Sequence, residues 1–193
     1  IGVYEEINRY IPIVMIGTLG DVVPLTGDNR VIVKYGMEKL CDFGWIGLES
    51  LISKITEGKS AQQKISSMFI SYQLVPKLNA AGRLGNAMRA FELLVCEEIN
   101  EAARLAEELI AENTKRQATE AEIAEKAMKE DSLKTTDKDC IVLAMGENWH
   151  HGVIGIVASR LTEKYKKPSF VLSIEKDSEG NNTIARGSAR SVK

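Results

Sequence analysis

Asp21 carries the chemistry most in need of an explanation. It follows Gly17-Thr-Leu-Gly20 and precedes Val-Val-Pro-Leu25, just past the apolar run Ile11–Ile16. The β-branched residues of that run (Ile11, Ile13, Val14, Ile16) predict a short buried strand. A carboxylate at the carboxyl end of a strand sits where α/β sheets keep their ligands. One carboxylate alone makes a poor site, because a hard cation such as magnesium or manganese takes several oxygen or nitrogen ligands. Asp28 is better placed to start the next helix. Asp21 is therefore either a turn residue or one ligand of a site whose remainder lies outside the chain.

Two further segments could hold an anion. Pro76-Lys-Leu-Asn-Ala-Ala-Gly-Arg83 combines small residues that permit close backbone approach with the directed donors Asn79 and Arg83. The planar guanidinium fork matches a phosphate bidentately. Arg186-Gly-Ser-Ala-Arg-Ser191 places two arginines, two serines and a glycine at the end of a strand. Hydroxyls, backbone N–H groups and guanidinium together make a phosphate or sugar grip, Ser188 and Arg190 included. The bland alternatives are an inter-helix turn with a solvated arginine and a Gly-Ser turn with surface charge. Neither segment has acids within it to cancel its charge.

Trp149-His150-His151-Gly152 reads poorly as a metal site, since adjacent histidines diverge and no ligand stands at the required spacing. A better reading has Trp149 and His150 edging a ligand surface where Gly152 opens a helix with free N–H groups. Trp149 is equally readable as core. No Ser/His/Asp or Cys/His nucleophilic set is evident, and glycine loops of the nucleotide-binding types are absent.

The elements that must position these residues change character along the chain. Residues 1–10 read as the tail of a helix, and with no initial methionine they suggest a piece of a longer protein. Asp28 or Asn29 can cap a helix over Val31–Leu40, which Gly44 ends; Leu48, Leu51, Ile52 and Ile55 mark another, stopping by Gly58. A third begins after Ser60 and is ended or kinked at Pro76. A fourth covers residues 86–95.

From Ile99 to Lys129 there is no Gly or Pro, and an apolar stripe is interrupted by Asn113, Arg116, Gln117 and Glu120. That pattern predicts a connector packed on one domain at each end, carrying i,i+4 pairs such as Glu122–Lys126 and Glu125–Lys129. Residues 131–138 are its polar exit. Strand–helix–strand follows: Cys140–Met145, Gly152–Tyr165 and Phe170–Ile174, parallel, with Thr183–Arg186 as a third strand after a Glu179-Gly-Asn-Asn turn. The fold class is α/β: two pieces joined by a long helix.

At 193 residues, 44% hydrophobic and 27% charged, the chain is expected to be soluble and globular with a real core. A net charge of −2 argues against nucleic-acid binding by bulk charge and leaves room for a local basic patch. Cys41, Cys96 and Cys140 are expected as buried free thiols in a reducing, cytoplasmic setting. No apolar run reaches membrane-spanning length.

In order, Gly17–Arg30, Pro76–Leu84, Trp149–Leu161 and Gly187–Ser191 resemble the RecJ exonucleases of the DHH phosphoesterase superfamily over essentially the whole chain. The resemblance implies that residues 1–96 are the C-terminal part of a DHH domain, 97–131 a connector helix, and 132–193 an incomplete DHH-associated nucleic-acid-binding domain. Asp21 matches the family's last metal-binding aspartate. Arg83, Ser188 and Arg190 match residues that hold the 5′ phosphate, and His150 a position lining the cleft. The implied activity is manganese- or magnesium-dependent 5′-to-3′ hydrolysis of single-stranded DNA at a two-ion site, in repair and recombination, with proteins of those processes as further partners. The Asp-His-His signature is absent, so this piece alone is expected to be inactive. Rival readings are an oligoribonuclease or nucleotide-bisphosphate phosphatase of the same superfamily, and a non-catalytic nucleic-acid-binding module.

Overall fold

Pro12, Met15, Ile16 and Leu19 recur at helical spacing and are buried on one face of helix α1 (Val3–Gly20). The structure is a computed structural model that describes residues 3–57, 65–129, 138–176 and 183–192. The strand expected over residues 11–16 is thus helical. Its β-branched members favour a strand weakly, but a stripe at i, i+3, i+4 and i+7 that finds a packing partner outweighs that preference. Ile11 and Ile13 are half-buried and Val14 is exposed. Asp21 therefore follows a helix, not a strand.

Helix α2 (Gly27–Glu38) starts earlier than expected, after Thr26 in extended conformation, which leaves Asp28 in the first turn where a carboxylate complements the helix dipole. It packs along α1. Helix α3 (Ile46–Thr56) buries Leu48, Leu51, Ile52 and Ile55, as its spacing predicts. Helix α4 (Ser67–Phe69) is capped by Ser66, whose Oγ accepts the Phe69 N–H at 3.2 Å. It runs through a π-helical turn (Ile70–Leu74) into α5 (Val75–Leu84).

Pro76 neither ends nor breaks this run. Proline removes one N–H and crowds the preceding turn, and the wider π turn, with the Val75 N–H bonded to the Ile70 carbonyl, absorbs it. Helix α6 (Met88–Val95) and the 29-residue α7 (Ile99–Ala127) complete the helical part. On α7 the Lys126 and Lys129 ammonium groups lie 2.6 and 3.1 Å from Glu122 and Glu125, the pairs expected. Lys126 holds the Glu122 carboxyl below its usual range.

The chain divides into two compact units, Ile1–Gly82 with Asn86–Asn113 and Arg83–Gly85 with Thr114–Lys193. The first contains no strand among its described residues, so it is helical where an α/β piece was expected. Its core gathers Met15, Leu19, Leu48, Leu51, Ile70, Leu74, Leu93 and the N-terminal half of α7 (Leu105, Ala106, Leu109). The second core gathers Ile123, Ala124 and Ala127 of α7 with Val142, Trp149, Val153, Val157, Leu161 and Val171.

The second unit holds a three-stranded sheet, β1 (Val142–Glu147), β2 (Ser169–Lys176) and β3 (Thr183–Arg190), in that order. β1 and β2 are parallel, joined through α8 (His151–Tyr165), as the strand–helix–strand pattern predicts; β3 pairs antiparallel to β2. β3 runs four residues further than expected, because Gly187 and Ser188, readable as a turn, are ladder partners of Leu172 and Val171. Side chains alternate across a strand, so Arg186, Ser188 and Arg190 share the face that carries buried Val171 and Ser173.

Cys41 and Cys140 are exposed and Cys96 is half-buried, all free; burial of all three was expected. They fall at element ends, where an apolar neighbourhood in sequence does not guarantee cover. No described helix is long and apolar enough to cross a membrane. The expected turn at 179–182, the start of a helix at Ser60 and most of the polar exit at 131–138 lie outside the described residues.

Candidate functional site

In the first unit, Asp21 and Asn79 come together. Both are exposed, and both line a pocket of about 270 Å³ with Ile16, Gly17, Gly20, Val75 and Leu78. Gly20 makes the approach possible, since a Cβ there would lie 3.1 Å from Val75 Cγ1. The Asp21 N–H donates to the Gly17 carbonyl at 3.0 Å and closes α1. Asp21 therefore adds a carboxylate to the negative end of a helix dipole, a place that favours a cation. The next residue is strained: Val22 has φ 56°, a left-handed conformation that a β-branched side chain resists.

The donor chemistry is right for a hard cation, and Asp21 fits as one oxygen ligand. The described residues contain no group of three His, Cys, Asp or Glu that could complete a ligand set.

In the second unit, Arg83, His150, Ser188 and Arg190 gather along the first two turns of α8. His150 is the N-cap: its Nδ1 accepts the Gly152 N–H at 3.1 Å, and its carbonyl accepts from Val153 and Ile154 at 2.9 and 3.2 Å. Three of the N–H groups expected to be free at this helix start, those of Gly152, Val153 and Ile154, are thus already engaged by His150 itself. An accepting Nδ1 puts the proton of the neutral ring on Nε2, on an exposed residue. Trp149 is 5% exposed and packs in the core with its indole in the space a Cβ on Gly146 would need. The core reading of Trp149 therefore holds, and it offers no stacking surface.

Arg83 donates from Nη1 to the Gly152 carbonyl at 3.4 Å. One turn along, Gly155 faces the other two groups: a Cβ there would lie 3.2 Å from Ser188 Oγ and 3.5 Å from Arg190 Nη2. Arg190 Nη1 donates to the Ala189 carbonyl at 2.7 Å and to Ser188 Oγ at 3.4 Å. Thr162 Oγ1 donates to the Arg190 carbonyl at 3.2 Å and fixes the strand end. Two guanidinium groups and a hydroxyl thus meet the start of α8, a donor set whose chemistry suits an anion.

Sequence reasoning missed three features here. His151 Nε2 pairs with the Glu175 carboxylate, which ties the start of α8 to β2. The strain at Val22 has no signal in a sequence. The network of buried Arg116 and Glu120 with exposed Arg160 had one, the Arg116–Glu120 spacing of four, but read as a polar interruption.

No protein-family model matches the chain. It is 36% identical over 186 residues to the single-stranded-DNA-specific exonuclease RecJ of Bacillus subtilis (strain 168), covering 96% of this chain and 23% of that protein. Against RecJ of Haemophilus influenzae it is 34% identical over 187 residues, covering 93% and 31%. The chain thus spans about a quarter to a third of the length of these relatives. Among solved structures it resembles RecJ of Thermus thermophilus in complex with Mg²⁺, with TM-score 0.80 and 29% identity over 96% of this chain and 27% of that one. It also resembles an exonuclease RecJ bound to manganese, with TM-score 0.78 and 28% identity over 96% and 43%. Near-complete coverage of this chain, a third or so of identical residues and a shared fold make it similar to the RecJ exonucleases over almost its whole length.

Proposed function

We propose that this chain is part of a metal-dependent 5′-to-3′ exonuclease that hydrolyses single-stranded DNA in repair and recombination. Residues 1–96 would be the C-terminal part of its DHH domain, 97–131 its connector and 132–193 part of its DHH-associated domain. The observation that carries the reading is the gathering of Arg83, Ser188 and Arg190 along the start of α8. Arg83 and Arg190 neutralise and orient the phosphate at the strand's 5′ end, and Ser188 donates a hydroxyl to it. Exposed His150 offers its Nε2–H at the same helix start, and Asn79 its amide beside Asp21. Asp21 holds one divalent ion; a pair of manganese or magnesium ions, when bound, supplies an activated water and charge neutralisation at the phosphate.

The incomplete ligand set among the described residues favours one alternative, a nucleic-acid-binding module without catalysis of its own. In a protein of full RecJ length carrying this sequence, Asp21→Ala should abolish manganese-dependent cleavage of single-stranded DNA while scarcely changing binding measured without metal. Retained cleavage would remove Asp21 from the metal site.

A further inference from the structure

We infer that Gly152 is a positioning residue, which seats Arg83 against the first turn of α8 and so sets the reach of the phosphate grip. The inference rests on the reading of Arg83 as a phosphate-holding group. Gly152 is the second residue of α8, a position that helix propensity alone gives no reason to leave without a side chain. A Cβ at 152 would run into the Arg83 carbonyl oxygen, with the carbonyl carbon 2.9 Å and Cα 3.2 Å away. These are backbone atoms, which cannot swing aside as a side-chain tip can.

The Gly152 carbonyl in turn accepts the Arg83 guanidinium. One residue therefore fixes both the backbone and the head of Arg83, across 69 positions of sequence. This contact biases a long, flexible side chain toward the helix start before any ligand arrives, which lowers the ordering cost of binding. The other nearby glycines differ. Gly155 faces only side-chain atoms, and a Cβ on Gly82 would meet only the Ala87 methyl at 3.6 Å.

The test compares binding of a short oligothymidylate carrying a 5′ phosphate with the same strand carrying a 5′ hydroxyl, on the 193-residue chain. Arg83→Ala should cut the preference for the phosphorylated end about tenfold, the worth of a hydrogen bond to a charged group. Gly152→Ala should cut it by the same factor, and the double variant by no more. Ser53→Ala, at an exposed position of α3 away from the grip, should keep the preference.

Wild-type preference in Gly152→Ala, or losses that multiply in the double variant, would overturn the inference while leaving the phosphate grip standing. Absence of any preference in the wild type would sink the phosphate reading and this inference with it. Amide exchange gives a second measurement that needs no Gly152 variant. The phosphorylated strand should slow exchange at Gly152–Ile154 in the wild type and not in Arg83→Ala. Protection that persists without Arg83 would also overturn the inference.

Discussion

Val22 shows how much a single backbone angle can say about a site. Its side chain is 83% exposed, so no packing compensates for its left-handed conformation, and the strain must be held by the neighbours on either side. On one side is Asp21, at the negative end of α1; on the other the chain turns through Pro24 toward α2, where the Thr26 N–H bonds the Pro24 carbonyl at 3.0 Å. Asparagine tolerates this conformation far better than valine. Val22→Asn should therefore raise stability by about 1 kcal/mol, seen as a higher urea midpoint with an unchanged slope. A lower midpoint would mean that the exposed valine is doing something the backbone angle does not explain.

At the scale of elements, α7 holds a buried polar band in place of the solvated middle its sequence suggests. Asn113, Arg116 and Glu120 are 5%, 9% and 5% exposed. The two Glu120 oxygens each lie 2.8 Å from a guanidinium, Arg116 Nη1 on α7 and Arg160 Nη2 on α8. Removing the shared carboxylate takes this counter-charge from buried Arg116, whereas Arg160, half-exposed, can be hydrated. Glu120→Ala should therefore cost about 3 kcal/mol, at the low end for a broken buried pair. A loss near zero in urea unfolding would show that water reaches this band.

The same helix marks what a sequence can and cannot reveal. Its length was legible because nothing between Ile99 and Lys129 breaks a helix, and α8 with its parallel strands was legible from the change of period at residue 140. Helix α1 was not, because β-branched residues fill the gaps between its buried positions and mimic a strand. The last four residues of β3 were not, since only pairing with β2 tells a ladder from a Gly-Ser turn. Asp21, Arg83, Ser188 and Arg190 stood out by residue type and resemblance, and folding brings the last three to the start of α8. The seating of Arg83 on Gly152 depends on folding alone.

For the whole molecule, charge decides how nucleic acid can be held. Twenty-five Lys and Arg against 27 Asp and Glu leave no net field to attract a polyanion, so binding has to come from a few placed cations. The proposed grip on α8 would contribute two, Arg83 and Arg190. Each phosphate neutralised on a single strand contributes about −0.7 to the slope of log affinity against log salt, so two to three contacts predict a slope between about −1.4 and −2.1. Between 50 and 200 mM salt, affinity should then fall roughly 7- to 20-fold. Fluorescence anisotropy of this chain with single-stranded DNA measures the slope directly, and Arg83→Ala and Arg190→Ala should each flatten it by about 0.7. A flat dependence would mean that the arginines do not meet phosphate at all. A slope steeper than about −4 would require more phosphate contacts than this grip can make.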